Sequence, residues 1–199
     1  MPEKTDFSTA LKVLKNGELI IYPTDTLYAL GADIYNETAV RKVFDIKQRP
    51  YSIPLPIAVS SIQEMETIAY LNDAAYEISK KFLPGTLTII LKKKSSVPKI
   101  VTSGFDTIAV RIPNHIIALD LLSQYGPLTV TSANLHHEKT LGNITDILKQ
   151  LGTHIPICLN DGRRNAVPST IADLSTNIPR IVRKGLVTEK ELLDVITHG

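Results

Sequence analysis

The spacing of apolar residues alternates between helix and strand periods from the start of this chain. Near the N-terminus an apolar set recurs every three or four residues, and Gly17 is suited to end the helix that this spacing predicts. The set consists of Phe7, Ala10, Leu11 and Leu14. The next run, ELIIYP, is short and continuous, which predicts a buried strand that ends at Pro23.

Residues that cap helices mark the starts of the later helical segments. A side-chain oxygen directly before such a segment can accept a hydrogen bond from a free backbone N–H of the first turn. Single caps of this kind are Asn36 and Asn72. Two pairs have the capping-box spacing, namely Ser61 with Glu64 and Thr188 with Glu191. We predict that the first of these helices ends near Lys47 and that the helix after Asn143 ends at Leu151.

Short β-branched runs bounded by glycine or proline predict the remaining strands. They are LPIAVS, TLTIILK, TIAVRIP and PLTVTS in the middle of the chain, and IPICL, STIADL and RIVR near its end. A helical segment, NHIIALDLLSQYG, lies between TIAVRIP and PLTVTS. Strands that alternate with helices predict an α/β fold, and neighbouring strands with no helix between them predict a mixed sheet.

The composition is that of an ordinary globular protein. The 199 residues are enough for one well-filled core, so we expect a single domain over residues 1–199. Hydrophobic residues make up 43% and charged residues 21%, which excludes a disordered chain. The net charge of +2 is too small to indicate nucleic acid as the main partner, although it leaves room for a local basic patch.

Cysteine usage and the N-terminal sequence indicate the cellular setting. Cys158 is the only cysteine, so neither an intramolecular disulfide nor a cysteine metal cluster can form, and we interpret it as a packing residue. The first residues, MPEKTDFSTALKV, lack the apolar core of a signal peptide, and no apolar run reaches membrane-spanning length. We therefore expect a cytoplasmic protein that does not use a membrane.

Polar residues gather where the predicted strands end. The segment YPTDTLYALG follows the first strand and is interpreted as a turn rich in hydroxyl groups. Three later strands end on hydrogen-bond donors or positive charges: Arg111, Ser132 with Asn134, and Arg183. In open α/β sheets ligands bind beyond the carboxyl ends of strands. Together with Lys47 and Arg49 in DIKQRPYSIPL, these groups could form a cationic pocket for phosphates and carboxylates.

Each of these groups also has a purely structural interpretation. Lys47 and Arg49 could complement the dipole at a helix C-terminus, and Arg111 could form a surface ion pair at the sheet edge. Ser132 and Asn134 favour turns wherever they occur. The residues alone leave these alternatives open.

Other polar residues are interpreted in structural terms. Asp25 in PTDT could be a catalytic base or a turn former, and the turn is favoured. His136 and His137 are adjacent and lack the usual spacing of a metal pair, so we expect histidines of a surface loop. The chain has no GxxxxGK[ST] loop, no GxGxxG turn after a strand and no GxSxG elbow. A nucleotide would therefore be bound without a Walker-type loop.

Seven motifs of this chain occur in a recognisable order. They are YPTDTLYALGAD, KQRP followed by PLPI, LPGTLTIIL, TIAVRIPNHIIAL, TVTSAN, STIADLS and IVRKG. In this order they resemble the YrdC/TsaC family, whose members are threonylcarbamoyl-AMP synthases. The resemblance covers about Leu19 to Gly185, which is nearly the whole chain.

The resemblance implies a fold and a reaction. The fold is an open α/β domain with a twisted mixed sheet, flanking helices and a large, positively charged concave cavity. L-Threonine, bicarbonate and ATP would react to give threonylcarbamoyl-AMP and pyrophosphate. On general grounds we expect Mg²⁺ to accompany ATP, and no carboxylate cluster in the sequence identifies a metal site of the protein. A tRNA-modifying threonylcarbamoyl transferase complex would use the product, and weak direct RNA binding is compatible with a cationic cavity.

The family's functional positions can be carried over to this chain residue by residue. The resemblance implies catalytic roles for Lys47, Arg49, Ser132 and Asn134. It implies threonine binding by Thr26, Arg111 and Ser169. It implies ATP contacts by Arg49, Thr107, Ser132, Thr140 and Arg183, of which Thr140 matches least closely.

Several positions depart from the family's pattern. Ile53 and Ala58 stand where the family often has Asn and His, while His136 and His137 replace Ser-Gly, and Pro168 replaces a Glu. These changes keep open a paralogue of the same fold that acts on another nucleotide. The other alternative is a non-catalytic RNA-binding module, which predicts salt-sensitive RNA binding without ATP turnover.

Overall fold

The structure is a computed structural model that describes residues 4–152, 155–164, 168–176 and 179–198. Within these ranges the helices are α1 Lys4–Lys15, α2 Glu37–Lys47, α3 Ile62–Ile68, α4 Asp73–Phe82, α5 Ile116–Tyr125, α6 Ile144–Leu151 and α7 Glu189–His198. The strands are β1 Ile20–Pro23, β2 Tyr28–Gly31, β3 Ile57–Ala58, β4 Ala69–Tyr70, β5 Leu87–Lys93, β6 Thr107–Arg111, β7 Leu128–Thr129, β8 Thr131–Ser132, β9 Ile157–Cys158, β10 Thr170–Asp173 and β11 Arg180–Arg183. This order confirms the predicted α/β class. None of these described helices combines the length and apolar character needed to cross a membrane.

The strands form two open sheets, whereas the sequence predicted one. The smaller sheet has the order β8-β2-β1-β9, and the larger has the order β11-β10-β5-β6-β3-β7, with β4 beside β5. Both sheets contain parallel and antiparallel pairs, so the prediction of mixed pairing is confirmed. Helices α1 and α5 pack on β1 of the smaller sheet, while α4 packs against β5 and α7.

The YPTDTLYALG segment forms a hairpin rather than only the predicted turn. β1 pairs antiparallel with β2, and Pro23 lies opposite Tyr28. Thr24 closes the connecting turn, because its N–H and its hydroxyl both donate to the Leu27 carbonyl, at 2.9 and 2.8 Å. Every residue of β2 is buried, so the strand lacks the alternation of apolar and polar residues that marks a half-exposed strand. The sequence of β2 therefore lacks the pattern that would have distinguished this strand from the turn before it.

The predicted strand PLTVTS bends and contributes to both sheets. β7 pairs with β3 in the larger sheet, and β8 pairs with β2 in the smaller sheet. Between them the N–H of Val130 donates to the Pro56 carbonyl at 2.9 Å. The buried Thr129 hydroxyl donates to the Leu30 carbonyl at 2.9 Å and accepts from the Ala32 N–H at 3.0 Å. This segment therefore fixes an edge of one sheet against the other.

The predicted helix caps are present. The two predicted single caps accept from the N–H three residues later, Asn36 at 3.1 Å and Asn72 at 2.8 Å. Asn143, after which a helix was predicted, caps α6 in the same way at 2.9 Å. Thr188 and Glu191 form a reciprocal capping box, with backbone donors at 2.8 and 3.3 Å. Ser61 accepts from the Glu64 N–H at 3.1 Å, but the Glu64 carboxylate returns to the N–H of Ser60 instead. Four helix starts therefore lie where they were predicted. At the fifth, the Glu64 carboxylate accepts from the N–H of Ser60 and not from that of Ser61.

Buried apolar side chains form two groups in the described part of the chain. The larger group includes residues of α2, α4, β2, β5 and β6, and the smaller lies between α1, α5 and the smaller sheet. Cys158 packs half-buried against the larger group, in agreement with the predicted packing role. Burial raises the pKa of its thiol to about 11, which makes it a poor nucleophile at neutral pH. The extent of a single domain over residues 1–199 stays a prediction.

The last residue of α2 is a buried lysine. Lys47 is 2% exposed, and its ammonium donates to the backbone carbonyls of Ser132 and Asn134, the latter at 2.6 Å. A further bond reaches the side-chain oxygen of Asn134 at 3.3 Å. The next residue, Gln48, has a left-handed backbone with φ of 51° and ends the helix as a cap. The C-terminus of α2 is thereby fastened to the segment that follows β8.

This burial changes how Lys47 binds its proton. Burial lowers the pKa of Lys47 from 10.5 to about 7, and the charge of Arg49 acts in the same direction. At a pH between about 7 and 10.5, Lys47 therefore carries a proton in the unfolded chain but not in the folded chain. The contribution of Lys47 to stability is therefore fully present above about pH 10.5 and is lost as the pH falls through about 7.

Lys47→Met should remove this pH dependence. Between about pH 7 and about pH 9, the free energy of unfolding of the unchanged protein should rise by about 2–3 kcal/mol relative to the variant, since one pKa unit corresponds to ~1.4 kcal/mol. Urea denaturation at the two pH values measures this difference. Lys42→Met, a half-exposed lysine of the same helix, is the control and should follow the unchanged protein. A gap between Lys47→Met and the unchanged protein that stays constant with pH would contradict the lowered pKa.

Candidate functional site

Arg111 joins the larger sheet to the β1–β2 turn. It is the last residue of β6, and its side chain is 6% exposed. The guanidinium donates from one nitrogen to the Thr26 hydroxyl at 2.9 Å, and from the other to the Asp25 carboxylate at 2.6 Å and the Gly85 carbonyl at 3.0 Å. The Asp25 side chain is 11% exposed, so the ion pair is buried and not on the surface. The turn interpretation of Asp25 therefore missed its main contact.

Ser169 and Arg183 form a second group of polar residues. Ser169 directly precedes β10, is 5% exposed, and shares a hydrogen bond of 3.0 Å with the Thr88 hydroxyl. Arg183, the last residue of β11, donates to the Ser169 carbonyl at 2.8 and 3.0 Å and to its hydroxyl at 3.0 Å. At Gly185 a Cβ would lie 2.3 Å from the backbone nitrogen of Thr170. The close approach of these two segments therefore requires glycine.

Strand register places these two groups side by side. β5 lies between β10 and β6, and Ile89 of β5 is opposite Val110 of β6, which makes Thr88 and Arg111 neighbours across the sheet. Burial is the main cause that lowers the pKa of Arg111, and the charge of Arg183 acts in the same direction. The two arginines therefore face the same region at one edge of the larger sheet.

Ser132 and Asn134 converge with Lys47 at the smaller sheet. β8 runs antiparallel to β2, so the chain beyond β8 returns towards the β1–β2 turn. The Ser132 hydroxyl donates to the side-chain oxygen of Asn134, and the Asn134 nitrogen donates to the carbonyls of Leu135 at 2.8 Å and Glu138 at 2.7 Å. The ammonium of Lys47 bonds the same turn through the backbone carbonyls of Ser132 and Asn134. Three of the four residues predicted to be catalytic are thus in direct contact.

Arg49 is bonded to its own loop. Its Nε donates to the Ile53 carbonyl at 3.0 Å, and its terminal nitrogen donates to the Pro54 carbonyl at 2.8 Å. Tyr51 stacks on Phe44 of α2, with ring centroids 4.7 Å apart. Burial lowers the pKa of Arg49, but a guanidinium stays charged in proteins. The loop after α2 is therefore held by the residue that the resemblance assigns to catalysis.

The two adjacent histidines have different surroundings. His137 is exposed, as predicted, whereas His136 is half-buried and donates its N–H to the Lys47 carbonyl at 2.8 Å. The rings are 3.9 Å apart between centroids. Burial and then the charges of His137, Arg49 and Lys47 lower the pKa of His136. The prediction of two surface-loop histidines is therefore correct for His137 and incomplete for His136.

Thr107 lies apart from Arg111, at the opposite end of β6. Thr107 is the first residue of β6 and Arg111 is the last, so about 13 Å of extended strand separates them. Thr140 lies in the loop between Asn134 and α6. The structure therefore does not bring Thr107 to the edge where the other predicted residues of the larger sheet meet.

Sequence reasoning missed a polar cluster around Tyr28. The Tyr28 hydroxyl donates to the Gly162 carbonyl at 2.7 Å and accepts from the Asp161 N–H at 2.9 Å. His115, directly before α5, contacts the Asp161 carboxylate at 3.0 Å and the Arg164 guanidinium at 2.6 Å, and Arg164 also pairs with Asp161. These residues come from three distant parts of the chain, and the one signal in the sequence was the charged loop LNDGRR.

The described residues provide no cluster of metal ligands, and a surface pocket that they form is lined by residues other than those predicted for the site. They contain no group of three or more His, Cys, Asp or Glu side chains placed to hold a metal ion. A surface pocket of about 240 Å³ is lined by Lys15, Asp33, Tyr35, Gln124, Tyr125 and Pro127. None of the predicted site residues lines that pocket. The large cationic cavity that the resemblance implies stays a prediction.

Most of the polar groups in the candidate site are hydrogen-bond donors. They are guanidinium, ammonium, hydroxyl and amide groups, with the Asp25 carboxylate among them. Such donors bind carboxylates and phosphates, and they stabilise negative charge that develops during a reaction. The arrangement is therefore suited to anionic substrates.

Comparison with known proteins gives the same family along most of the chain. A family model described as Telomere recombination, for Sua5, YciO and YrdC, matches residues 12–185. A protein of Methanocaldococcus jannaschii is 40% identical over 182 residues, which cover 91% of this chain and 86% of that protein. The threonylcarbamoyl-AMP synthase of Pyrococcus abyssi is 34% identical over 197 residues, which cover 98% of this chain and 58% of that longer protein.

Solved structures agree with the sequence comparisons. The P. abyssi Sua5 structure in complex with L-threonine has a TM-score of 0.92 at 33% identity, and the match covers 98% of this chain and 58% of that one. E. coli YciO has a TM-score of 0.88 at 28% identity, with 96% of this chain and 95% of that one covered. The family model, the identity to these relatives and the shared fold together establish that the chain belongs to the Sua5/YciO/YrdC family.

Proposed function

We propose that this chain is an L-threonylcarbamoyladenylate synthase, which makes threonylcarbamoyl-AMP and pyrophosphate from L-threonine, bicarbonate and ATP. One observation carries the proposal: residues from distant strand ends meet, with Arg111 bonded to Thr26 and Lys47 bonded to Ser132 and Asn134. The named activity of the P. abyssi relative and the L-threonine in its Sua5 structure support the same reaction.

We assign the edge of the larger sheet to L-threonine. A guanidinium can bind a carboxylate through two parallel hydrogen bonds, and Arg111 is the buried guanidinium at this edge. Thr26 lies within hydrogen-bond distance of it, and Ser169 bonds Thr88 of β5, the strand that pairs with β6. These three residues would hold the amino acid, as the resemblance implies.

We assign the edge of the smaller sheet to ATP. Ser132 and Asn134 would orient the nucleotide, and Arg49 would bind a phosphate. The Lys47 ammonium is already bonded to three protein oxygens, so its main effect would be to hold Ser132 and Asn134 in place. Arg183 is assigned to the phosphates from the side of the larger sheet.

Thr107 and Thr140 are assigned as outer contacts of ATP. Thr107 lies at the far end of β6, so it would reach ATP only at a part remote from the arginine pair. Thr140 belongs to the loop that leads into α6. Both assignments rest on the resemblance.

The proposed reaction needs positioning and charge stabilisation. The threonine amine attacks CO₂, or attacks bicarbonate with loss of water, to give a carbamate. A carbamate oxygen then attacks the α-phosphate while pyrophosphate leaves. Fixed cations stabilise the charge that develops on the phosphoryl oxygens. Carbamates decompose in water, so reactants that are held in contact and away from solvent react more productively.

Mg²⁺ would enter this reaction with ATP. The donors at the site are mostly cations and hydroxyl groups, and the described residues provide no cluster of carboxylates for a magnesium ion of the protein's own. These residues do not fit a protein-held metal, so no step of the mechanism relies on one. Any Mg²⁺ would be held by the ATP phosphates.

The product implies a partner. Threonylcarbamoyl-AMP is a reactive mixed anhydride, and a tRNA-modifying threonylcarbamoyl transferase complex would consume it. Such a complex would bring the tRNA, so this chain would bind RNA weakly or not at all. The use of ATP and the modification of tRNA would place the protein in the cytoplasm, without a membrane partner.

A paralogue of the same fold with another nucleotide substrate is the second candidate. E. coli YciO matches this chain over nearly its whole length, unlike the longer Sua5 protein. Ala58 is fully buried and lies opposite Arg111 in the β3–β6 pair. A small apolar residue beside the proposed carboxylate site is the observation that favours this candidate.

Release of pyrophosphate from ATP tests the function. The purified protein should release pyrophosphate when L-threonine, bicarbonate and ATP are all present, because adenylation needs the carbamate formed from the first two. Omission of L-threonine or of bicarbonate should each reduce release to the background rate. Release that continues without L-threonine would favour the paralogue, and no release from ATP when L-threonine and bicarbonate are both present would contradict the synthase.

Arg111→Lys should weaken threonine binding. The lysine keeps the charge beside Asp25 but loses the fork of two parallel donors, so the KM for L-threonine should rise roughly 10- to 100-fold, as expected for loss of a charge-assisted hydrogen bond. Steady-state kinetics with varied L-threonine and with varied ATP separate the two substrates, and the KM for ATP should change little. Arg180→Lys, on the exposed end of β11, is the matched control. An unchanged KM for L-threonine would show that Arg111 has another role.

Arg183→Gln should weaken ATP binding instead. Loss of one cation facing the phosphates should raise the KM for ATP by about 10-fold or more. The KM for L-threonine should rise less, through the lost bonds of Arg183 to Ser169. Arg180→Gln removes a charge from the same strand, where the side chain is exposed and pairs with Asp173, and should leave both constants unchanged. Equal effects of the two variants would mean that only the overall charge of β11 matters.

A further inference from the structure

Asp25 is a buried carboxylate among cations at the proposed threonine site. One oxygen accepts from Arg111 at 2.6 Å, and the other is buried with no hydrogen-bond partner among the described residues. The Nε of Arg111 is likewise buried without a partner there. The ion pair therefore carries one unused acceptor with negative charge and one unused donor with positive charge.

An unpaired buried carboxylate oxygen is unfavourable for stability. A buried polar atom without a partner loses its hydration and gains nothing in return, and the penalty is larger for a charged group. Neutralisation of Arg111 needs a negative charge but does not by itself explain why the second oxygen is left without a donor. A donor with positive charge supplied by a ligand would satisfy this oxygen.

The substrates of the proposed reaction offer few such donors. ATP, bicarbonate and the carboxylate of threonine are all negative, and a carboxylate of the protein repels each of them. The α-ammonium of threonine is the cationic group among the substrates themselves. A carboxylate beside the residue assigned to the threonine carboxylate is therefore placed to meet the ammonium of the same molecule.

We propose that Asp25 binds the α-ammonium of the amino-acid substrate while Arg111 binds its carboxylate, so that the buried ion pair recognises a zwitterionic α-amino acid. The inference rests on the proposed function and adds a residue that fixes the reacting nitrogen. In an α-amino acid one carbon separates the two charged groups, so their partners must be adjacent. The contact of 2.6 Å between Asp25 and Arg111 meets this condition.

A purely structural role for Asp25 makes a different prediction. If Asp25 only holds the Arg111 guanidinium in place, its loss should weaken every ligand that Arg111 binds, whether or not the ligand carries an ammonium. If Asp25 binds the ammonium, its loss should weaken only ligands that have one. The ratio of two affinities therefore separates the roles.

The experiment measures binding of L-threonine and of its hydroxy acid, in which a hydroxyl group replaces the ammonium, by isothermal titration calorimetry. In the unchanged protein L-threonine should bind roughly 10- to 100-fold more tightly than the hydroxy acid, as expected for a charge-assisted hydrogen bond. Asp25→Asn should lose most of this preference, through weaker binding of L-threonine with the hydroxy acid bound as well as before or better.

Two comparison variants and a check of folding complete the test. Asp33→Asn removes a carboxylate that follows β2 and bonds Tyr125, outside the site, and should keep the full preference. Asp25→Glu keeps the charge and should restore part of it. Since Asp25→Asn leaves Arg111 without its counter-charge, thermal unfolding must confirm that the variant is folded, and the unchanged protein alone already gives a decisive result.

The inference can be overturned by the unchanged protein or by the Asp25→Asn variant. Equal affinity of the unchanged protein for the two ligands overturns it without any variant. An Asp25→Asn protein that keeps the full preference, or that loses affinity for both ligands equally, also overturns it. Failure of the proposed function is a separate result, because it is seen as pyrophosphate release by the unchanged protein that does not depend on L-threonine.

Discussion

The buried ammonium of Lys47 determines how the candidate site is assembled. It ends α2 and bonds the backbone of Ser132 and Asn134, so one charged group joins a helix C-terminus to the turn after β8. A cation with this little exposure is tolerated only where oxygen atoms surround it, and here three do. The same burial that lowers its pKa therefore also defines the position of the two residues that face the proposed nucleotide.

A second buried charge interaction joins the two sheets. Arg111 at the end of β6 reaches the turn between β1 and β2 and pairs there with Asp25. Removal of one partner of a buried ion pair typically destabilises a protein by about 3–5 kcal/mol, because the other charge stays buried and unpaired. The pair therefore combines two effects at one place: it fixes the relative position of the sheet edges, and it supplies opposite charges to a ligand between them.

Local signals in the sequence were reliable where a single side chain acts on its own backbone. The caps at Asn36 and Asn72 lie where the sequence predicts, since each depends on a hydrogen bond to a residue only three positions away. Strands that depend on distant partners were less well predicted. β2 was merged with the preceding turn, and PLTVTS was predicted as one strand although Val130 bonds Pro56 at the bend between two sheets.

The sequence by itself determined the α/β class, the helix starts and the family, because these depend on short-range hydrogen bonds, on apolar periodicity and on motifs in order. It also indicated which strand ends carry polar residues. Only the tertiary structure decided which of those ends meet: Arg111 with Asp25 and Thr26, and Lys47 with Ser132 and Asn134. The physical reason is that strand register and the bend between the sheets are set by long-range pairing, and a shift of either would separate these side chains without changing any local pattern.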